Sequence, residues 1–264
     1  MRDSLMASSK SPLVLLHGVT MSARVWDEVI PLVTPHHEVF ALTALGHRGG
    51  PPVRRRPATV ADLVDGAERM LDEFGLDRPH LAGNSLGGWM AIELARRGRA
   101  ASVCALSPAG FWTAGTHAQS AGVTKLRRLA ALTRLTRTVQ PLAFQLPLVR
   151  RLGMRDIACR ADRLTPSAAV QTARDLLDCA ITDDLLGTGE QIAPLDPLPC
   201  PVTLAWSSRD AVLPPEVNGK IARERLPQAD FELLPAVGHV PMIDDPALVA
   251  RTILTTTRTH APEA

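Results

Sequence analysis

Tyrosine is absent from this 264-residue chain, and lysine supplies only three of its 29 basic residues. Arginine supplies the other 26, a skew that reads as coding bias rather than as function. Long hydrophobic runs are also missing: no window approaches the 18 uninterrupted apolar residues of a membrane-spanning helix. The first twelve residues are polar and of mixed charge, with no apolar core or small-residue cleavage site. No secretory signal is therefore expected, and a cytoplasmic location is. The four cysteines, Cys104, Cys159, Cys179 and Cys200, lie far apart without a C-x-x-C pair. That spacing argues against a disulfide framework or a zinc site and for buried free thiols. Neither a metal nor a cofactor is expected.

The most informative absence is acidic. Between Glu93 and Asp156 lie 62 residues without an Asp or Glu, carrying eleven Lys or Arg, a lopsidedness that the net charge of +2 conceals. Its basic run at 125–137 has no interleaved aromatics and no recognition motif, so nucleic-acid binding is not expected. Hydrophobic residues at 45% and charged residues at 21% are those of a globular chain, not a disordered or fibrous one. The length suits a single compact α/β unit.

What is present alternates. Short apolar runs at 13–16, 39–42, 80–82, 102–106, 202–206 and 230–234 read as buried strands. Segments with helical spacing separate them. Ser22–Val33 is expected to be helical, and Thr59 can cap a helix with Val60, Leu63, Val64, Ala67 and Leu71 on one face. The pattern implies an α/β fold, a mostly parallel, doubly wound sheet covered on both faces. It breaks between about Phe111 and Pro199, where leucines at 126, 129, 132 and 135 mark helix instead. The expected division is a core of residues 1–110 and 200–264 with an inserted helical cap at 111–199.

Gly83-Asn84-Ser85-Leu86-Gly87 fits G-x-S-x-G between a short strand and an apolar helix. There a serine on a strained turn presents its hydroxyl at the strand's C-terminal end, and flanking glycines keep neighbouring backbone clear. A hydroxyl needs a base. Of eight histidines, His239 lies on the loop after the last strand, at the same sheet edge. His36 and His37 are poorly placed, His47 and His80 have solvated-loop explanations, and His17 suits a loop brace. The base needs a carboxylate to orient it. The acid-free stretch removes the loop after the fourth strand, and Asp210 ends the next. Asp244 and Asp245 suit capping of the helix after Pro246. The N–H groups of Val19, after the first strand, and Leu86 could together hold an oxyanion.

These segments resemble the α/β-hydrolase family along nearly the whole chain: HGVT at 17–20, GNSLGG at 83–88, SSRD at 207–210 and GHVPMIDDP at 238–246. The family's order of nucleophile, acid and base is met by Ser85, Asp210 and His239. Resemblance implies an eight-stranded sheet with an antiparallel second strand, although only twelve residues precede the first apolar strand here. The segment around Gly46-His47 resembles the family's GHG-type loop, with Arg48 in place of the second glycine. A serine nucleophile argues against the family's haloalkane dehalogenases and epoxide hydrolases, which use Asp. Gly-Asn-Ser is similar to the carbon–carbon hydrolases, but the Trp they carry after the histidine is replaced by Val240-Pro241. The HG-x loop resembles that of short- and medium-chain esterases.

The leading expectation is a carboxylic-ester hydrolase working through an acyl-enzyme on a small-molecule substrate. The same triad could serve a C–C hydrolase, a thioesterase or an acyltransferase, and the fold alone could serve a ligand receptor. Lys125, Arg127, Arg128, Arg134, Arg137, Arg150, Arg151 and Arg155 of the cap could attract an anionic substrate. They could also lie on an anionic membrane surface, although a solvated exterior in an arginine-rich protein is the favoured reading.

Overall fold

The computed structural model describes residues 10–113 and 117–258, the side chains of 117–121 excluded. The first half runs β1 (Ser11–Leu16), a 3-10 turn (Ala23–Trp26), α1 (Ile30–Val33), β2 (His37–Leu42), α2 (Val60–Glu73), β3 (His80–Asn84), α3 (Leu86–Arg96) and β4 (Ser102–Leu106). Helices then follow without a strand: α4 (His117–Thr136), α5 (Gln140–Ala143), α6 (Pro147–Gly153), α7 (Pro166–Leu177) and α8 (Thr182–Leu186). The chain ends with β5 (Val202–Ser207), α9 (Lys220–Arg225), β6 (Asp230–Leu234), α10 (Pro241–Asp244) and α11 (Pro246–Arg258).

Among the described residues there is one six-stranded sheet in the order β2-β1-β3-β4-β5-β6, every neighbouring pair parallel. The eight strands and the antiparallel strand implied by the family resemblance are not found there. The sequence signal for a sheet buried on both faces is met: all five residues of β4 are buried, as are Leu13–Leu16 of β1. Parallel pairing requires crossover helices, which cover those faces. Helix α3 packs on β1, β3 and β4 with α2 against it, while α11 packs on β4 and β5. None of the described helices is long and apolar enough to cross a membrane.

Two sequence expectations change shape. The segment 22–33 is not one helix but the 3-10 turn and the four-residue α1, which begins next to Pro31. A proline there has no N–H to donate back, so the turn before it cannot run on into the helix. The leucines at 126, 129, 132 and 135 do not share one face either. A three-residue step on a helix of 3.6 residues per turn drifts by about 60°, so three steps reverse direction. Leu126 and Leu129 accordingly face inward and are half-buried, whereas Leu135 is 82% exposed.

The sheet order reverses between β1 and β3, and at such a switch point the C-terminal ends of neighbouring strands open a crevice. Leu16 lies opposite Gly83, so the loops after β1 and β3 meet there. The approach is close. A Cβ on Gly87, in the first turn of α3, would sit 2.1 Å from the Leu16 carbonyl oxygen. One on Gly83 would sit 2.2 Å from the Gly87 carbonyl oxygen. Both obstacles are backbone and cannot swing aside. Gly87→Ala is therefore expected to lower the unfolding free energy by about 3 kcal/mol or more, as for a severe overpacking change. Urea unfolding of the purified variant checks this.

Candidate active site

Ser85 occupies the turn between β3 and α3 at φ 54°, ψ −115°, a backbone region that a non-glycine residue enters only where its surroundings force it. The forces are visible. The Ser85 N–H donates to Leu106 O at 3.0 Å, and its carbonyl accepts from Trp89 N and Ala109 N, both at 3.0 Å. Gly18 lies on the other side, where an added Cβ would be 3.3 Å from Ser85 Cβ. The side chain is consequently held at the mouth of the crevice.

His239 and Asp210 are brought together from the loops after β6 and β5. Nδ1 of His239 lies 2.7 Å from Oδ2 of Asp210, both residues being buried. The carboxylate's other oxygen accepts from Val212 N at 2.9 Å and Leu213 N at 2.8 Å. With Asp210 an acceptor, Nδ1 of the neutral ring carries the proton and Nε2 is left as the basic nitrogen. Ser85 and His239 line one cleft together with Gly18, Val19 and Asn84. Leu86 is the first residue of α3, so its N–H is among the first-turn donors that have no intrahelical acceptor. Val19 lines both clefts that contain Ser85. Val19, Ser85 and His239 thus line one cleft, Leu86 lines a second together with Val19 and Ser85, and Asp210 is bonded to His239 without lining either.

Two apolar lobes meet at Ser85. One runs under α4 and α6 past Leu126, Leu129, Phe144, Met154 and Leu176. The other lies against Trp89, Trp112, Val123, Leu185 and Leu213. Leu126 of α4 borders both. The basic residues of this segment line neither lobe. Lys125 donates to Ala211 O, beside Asp210, and Arg150 is buried with its guanidinium on Phe144 O, Gln145 O and Asp162 O.

Several supporting residues had other readings in the sequence. Asp245 does cap α11, accepting from Leu248 N at 2.8 Å. Asp244 does not. Its buried carboxylate accepts from Gly238 N (2.7 Å), Cys159 N (3.0 Å) and Arg160 N (2.6 Å), tying the His239 loop to the segment after α6. Val240 N adds a bond to Ile157 O at 2.8 Å. Asn84 donates through Nδ2 to His239 O (2.9 Å) and Leu106 O (3.1 Å), so the motif residue before Ser85 holds the histidine's backbone. No local pattern announces either role, because the partners are 85 and 155 residues away.

His47 and His80 are not in solvated loops. His80 lies in β3, 2.8 Å from Ser102 Oγ, and His47 is buried edge-on against His17 at 4.8 Å. His17 braces its loop as the sequence suggests. Ala44 N donates to its Nε2 at 3.0 Å, which puts the ring proton on Nδ1, 2.8 Å from Gly18 O. Among the described residues no cluster of His, Cys, Asp or Glu has the arrangement of a metal site.

The sequence profile of the alpha/beta hydrolase family matches residues 13–252. Epoxide hydrolase EphH of Mycobacterium tuberculosis is 32% identical over 197 residues, 73% of this chain and 92% of its own length. Among solved structures, a thermophilic esterase from Thermogutta terrifontis superposes with a TM-score of 0.72 at 22% identity, covering 96% of this chain and 92% of that one. Carboxylesterase CesB from Bacillus subtilis gives 0.71 at 19% identity, covering 96% and 85%. The two structural likenesses bear on the fold. The chain belongs to the alpha/beta hydrolase family and is a hydrolase.

Burial, helped by His47 and opposed by the Gly18 carbonyl, pushes the His17 pKa down to about 3. The unfolded chain, with an ordinary histidine near 6.5, binds a proton between those values that the folded chain does not. This contribution is complete above pH 6.5 and is lost progressively as pH falls toward 3. His17→Gln keeps an acceptor for Ala44 N–H but does not titrate. Urea midpoints measured from pH 7 to pH 4 should show a slope shallower by up to about 1.4 kcal/mol per pH unit in the variant.

Proposed function

We propose that this hydrolase cleaves neutral carboxylic esters through an acyl-enzyme, with Ser85 as nucleophile, His239 as general base and Asp210 as its orienting carboxylate. The observation that carries the reading is the 2.7 Å His239–Asp210 pair beside a serine held at φ 54° where two apolar lobes meet. Ser85 Oγ attacks the carbonyl carbon as its proton passes to Nε2 of His239. The N–H groups of Val19 and Leu86 receive the oxyanion. The imidazolium then protonates the departing alkoxide, and water, deprotonated by the same nitrogen, releases the acid. Two backbone donors at the oxyanion are worth several kcal/mol of barrier lowering.

The chemistry of residue 85 separates this from the epoxide hydrolase relative. A carboxylate that opens an epoxide forms an ester, which water can cleave at its carbonyl. A serine that opened one would form a dialkyl ether with no carbonyl to attack, and the enzyme would stall after one turnover. Two apolar lobes that share Ser85 suit an ester with apolar groups at both its acyl and its alcohol ends, and walls without Lys or Arg favour a neutral one. Residues 111–199 act in this reading as a cap over a core of 1–110 and 200–264, shaping both lobes.

A panel of p-nitrophenyl esters, a thioester, a vinylogous diketone and an aryl epoxide tests the proposal. The neutral esters should give the highest kcat/KM. Ser85→Ala should abolish fluorophosphonate labelling and lower kcat by about a thousandfold or more. Preference for the diketone or thioester would reassign the substrate while keeping the triad. Unchanged turnover in Ser85→Ala would sink the mechanism.

A further inference from the structure

The cap segment is apolar on the side turned away from the cleft as well. Leu132, Leu135, Leu142, Leu146, Leu148 and Leu152, on or between the consecutive helices α4, α5 and α6, are all more than half exposed, Leu135 and Leu142 by 82% and 79%. Single exposed leucines are ordinary on a protein surface, but a set gathered on neighbouring elements marks a surface that is covered in use. On α4 the division follows from helical geometry. Leu126, Leu129 and Thr133 line the cleft, and Leu135, nine residues after Leu126, points the opposite way.

The charges identify what covers it. Arg127, Arg128, Arg134, Arg137, Arg151 and Arg155 are exposed, and no Asp or Glu lies between Glu93 and Asp156 to neutralise them. Among the described residues none of these six is in an ion pair. Outside this face Arg48, Arg55, Arg56, Arg96, Arg97, Arg99 and Arg163 each contact a carboxylate. Other exposed arginines without an ion pair, such as Arg24, Arg54, Arg174 and Arg251, are spread along the chain, whereas six fall within residues 127–155 beside the exposed leucines. A second copy joined by a two-fold axis through this face would oppose arginines to arginines. A layer whose rim is anionic and whose interior is apolar satisfies both sets of side chains at once. Leucines enter the acyl boundary while arginines keep their charged ends at the headgroups.

We propose that the outer face of α4–α6 docks on an anionic lipid bilayer. None of the exposed leucines lines the cleft, so docking stands independently of which ester is cleaved.

Flotation of the full chain with vesicles tests this, comparing pure phosphatidylcholine with a mixture containing about 30% phosphatidylglycerol. Binding should require the anionic lipid and should weaken at about 0.5 M salt, where surface charges are screened. The double variants Leu135→Ser/Leu142→Ser and Arg134→Glu/Arg137→Glu should each bind at least about tenfold more weakly. Both should keep the wild-type circular dichroism and the wild-type rate on a soluble ester. Failure of the wild type to float with anionic vesicles overturns the proposal, as does undiminished binding by both variants. A dimer in solution that Leu135→Ser/Leu142→Ser dissociates, without vesicle binding, assigns the face to a second copy instead.

Discussion

The position of Ser85 depends on how closely the first turn of α3 passes over the ends of β1 and β3. A helix carrying a side chain at residue 87 would have to stand off from the Leu16 carbonyl, and the turn would relax with it. Close approach forces residue 85 into its strained conformation, and three hydrogen bonds hold it there, one donated to Leu106 O and two accepted from Trp89 N and Ala109 N. The strain and the packing are one feature. The same approach brings the loop after β1 beside the start of α3, so Val19 and Leu86 line one crevice.

The other half of the site hangs from the far side of the sheet. Asp210 is immobilised by two backbone donors of its own loop, and its remaining oxygen holds the His239 ring. The histidine's backbone is in turn carried by Asn84, next to Ser85, and its loop is tied to the helical insertion through Asp244. Three separate stretches of chain therefore share a hydrogen-bonded frame around the crevice. The helical segment between β4 and β5 belongs to that frame too, since Lys125 reaches the carbonyl of Ala211 beside Asp210.

The insertion has two apolar sides with different neighbours. Its inner side completes the walls of the lobes, and its outer side carries exposed leucines among arginines. An acid-free sequence stretch thus divides on folding. Arg96, Arg97 and Arg99 pair with carboxylates from outside it, Arg150 is drawn inside to satisfy backbone carbonyls, Lys125 reaches the Ala211 carbonyl, and the other six stay on the surface.

The sequence by itself determined what is local. Alternating apolar runs and amphipathic segments specify parallel strands with covering helices, because period and length are properties of a few neighbouring residues. The G-x-S-x-G turn is legible for the same reason: its glycines are needed within a few residues of the serine. Spacing of the leucines could say that 126–135 is helical, yet not that its ends face opposite ways against different surroundings. Tertiary structure alone decided the rest. It made Asp244 a clamp on the insertion rather than a helix cap, gave Asn84 the His239 carbonyl, buried His47 against His17, and limited the described sheet to six strands. Each of these depends on partners far away in the chain, and no local pattern encodes a hydrogen bond whose acceptor arrives only when the sheet has assembled.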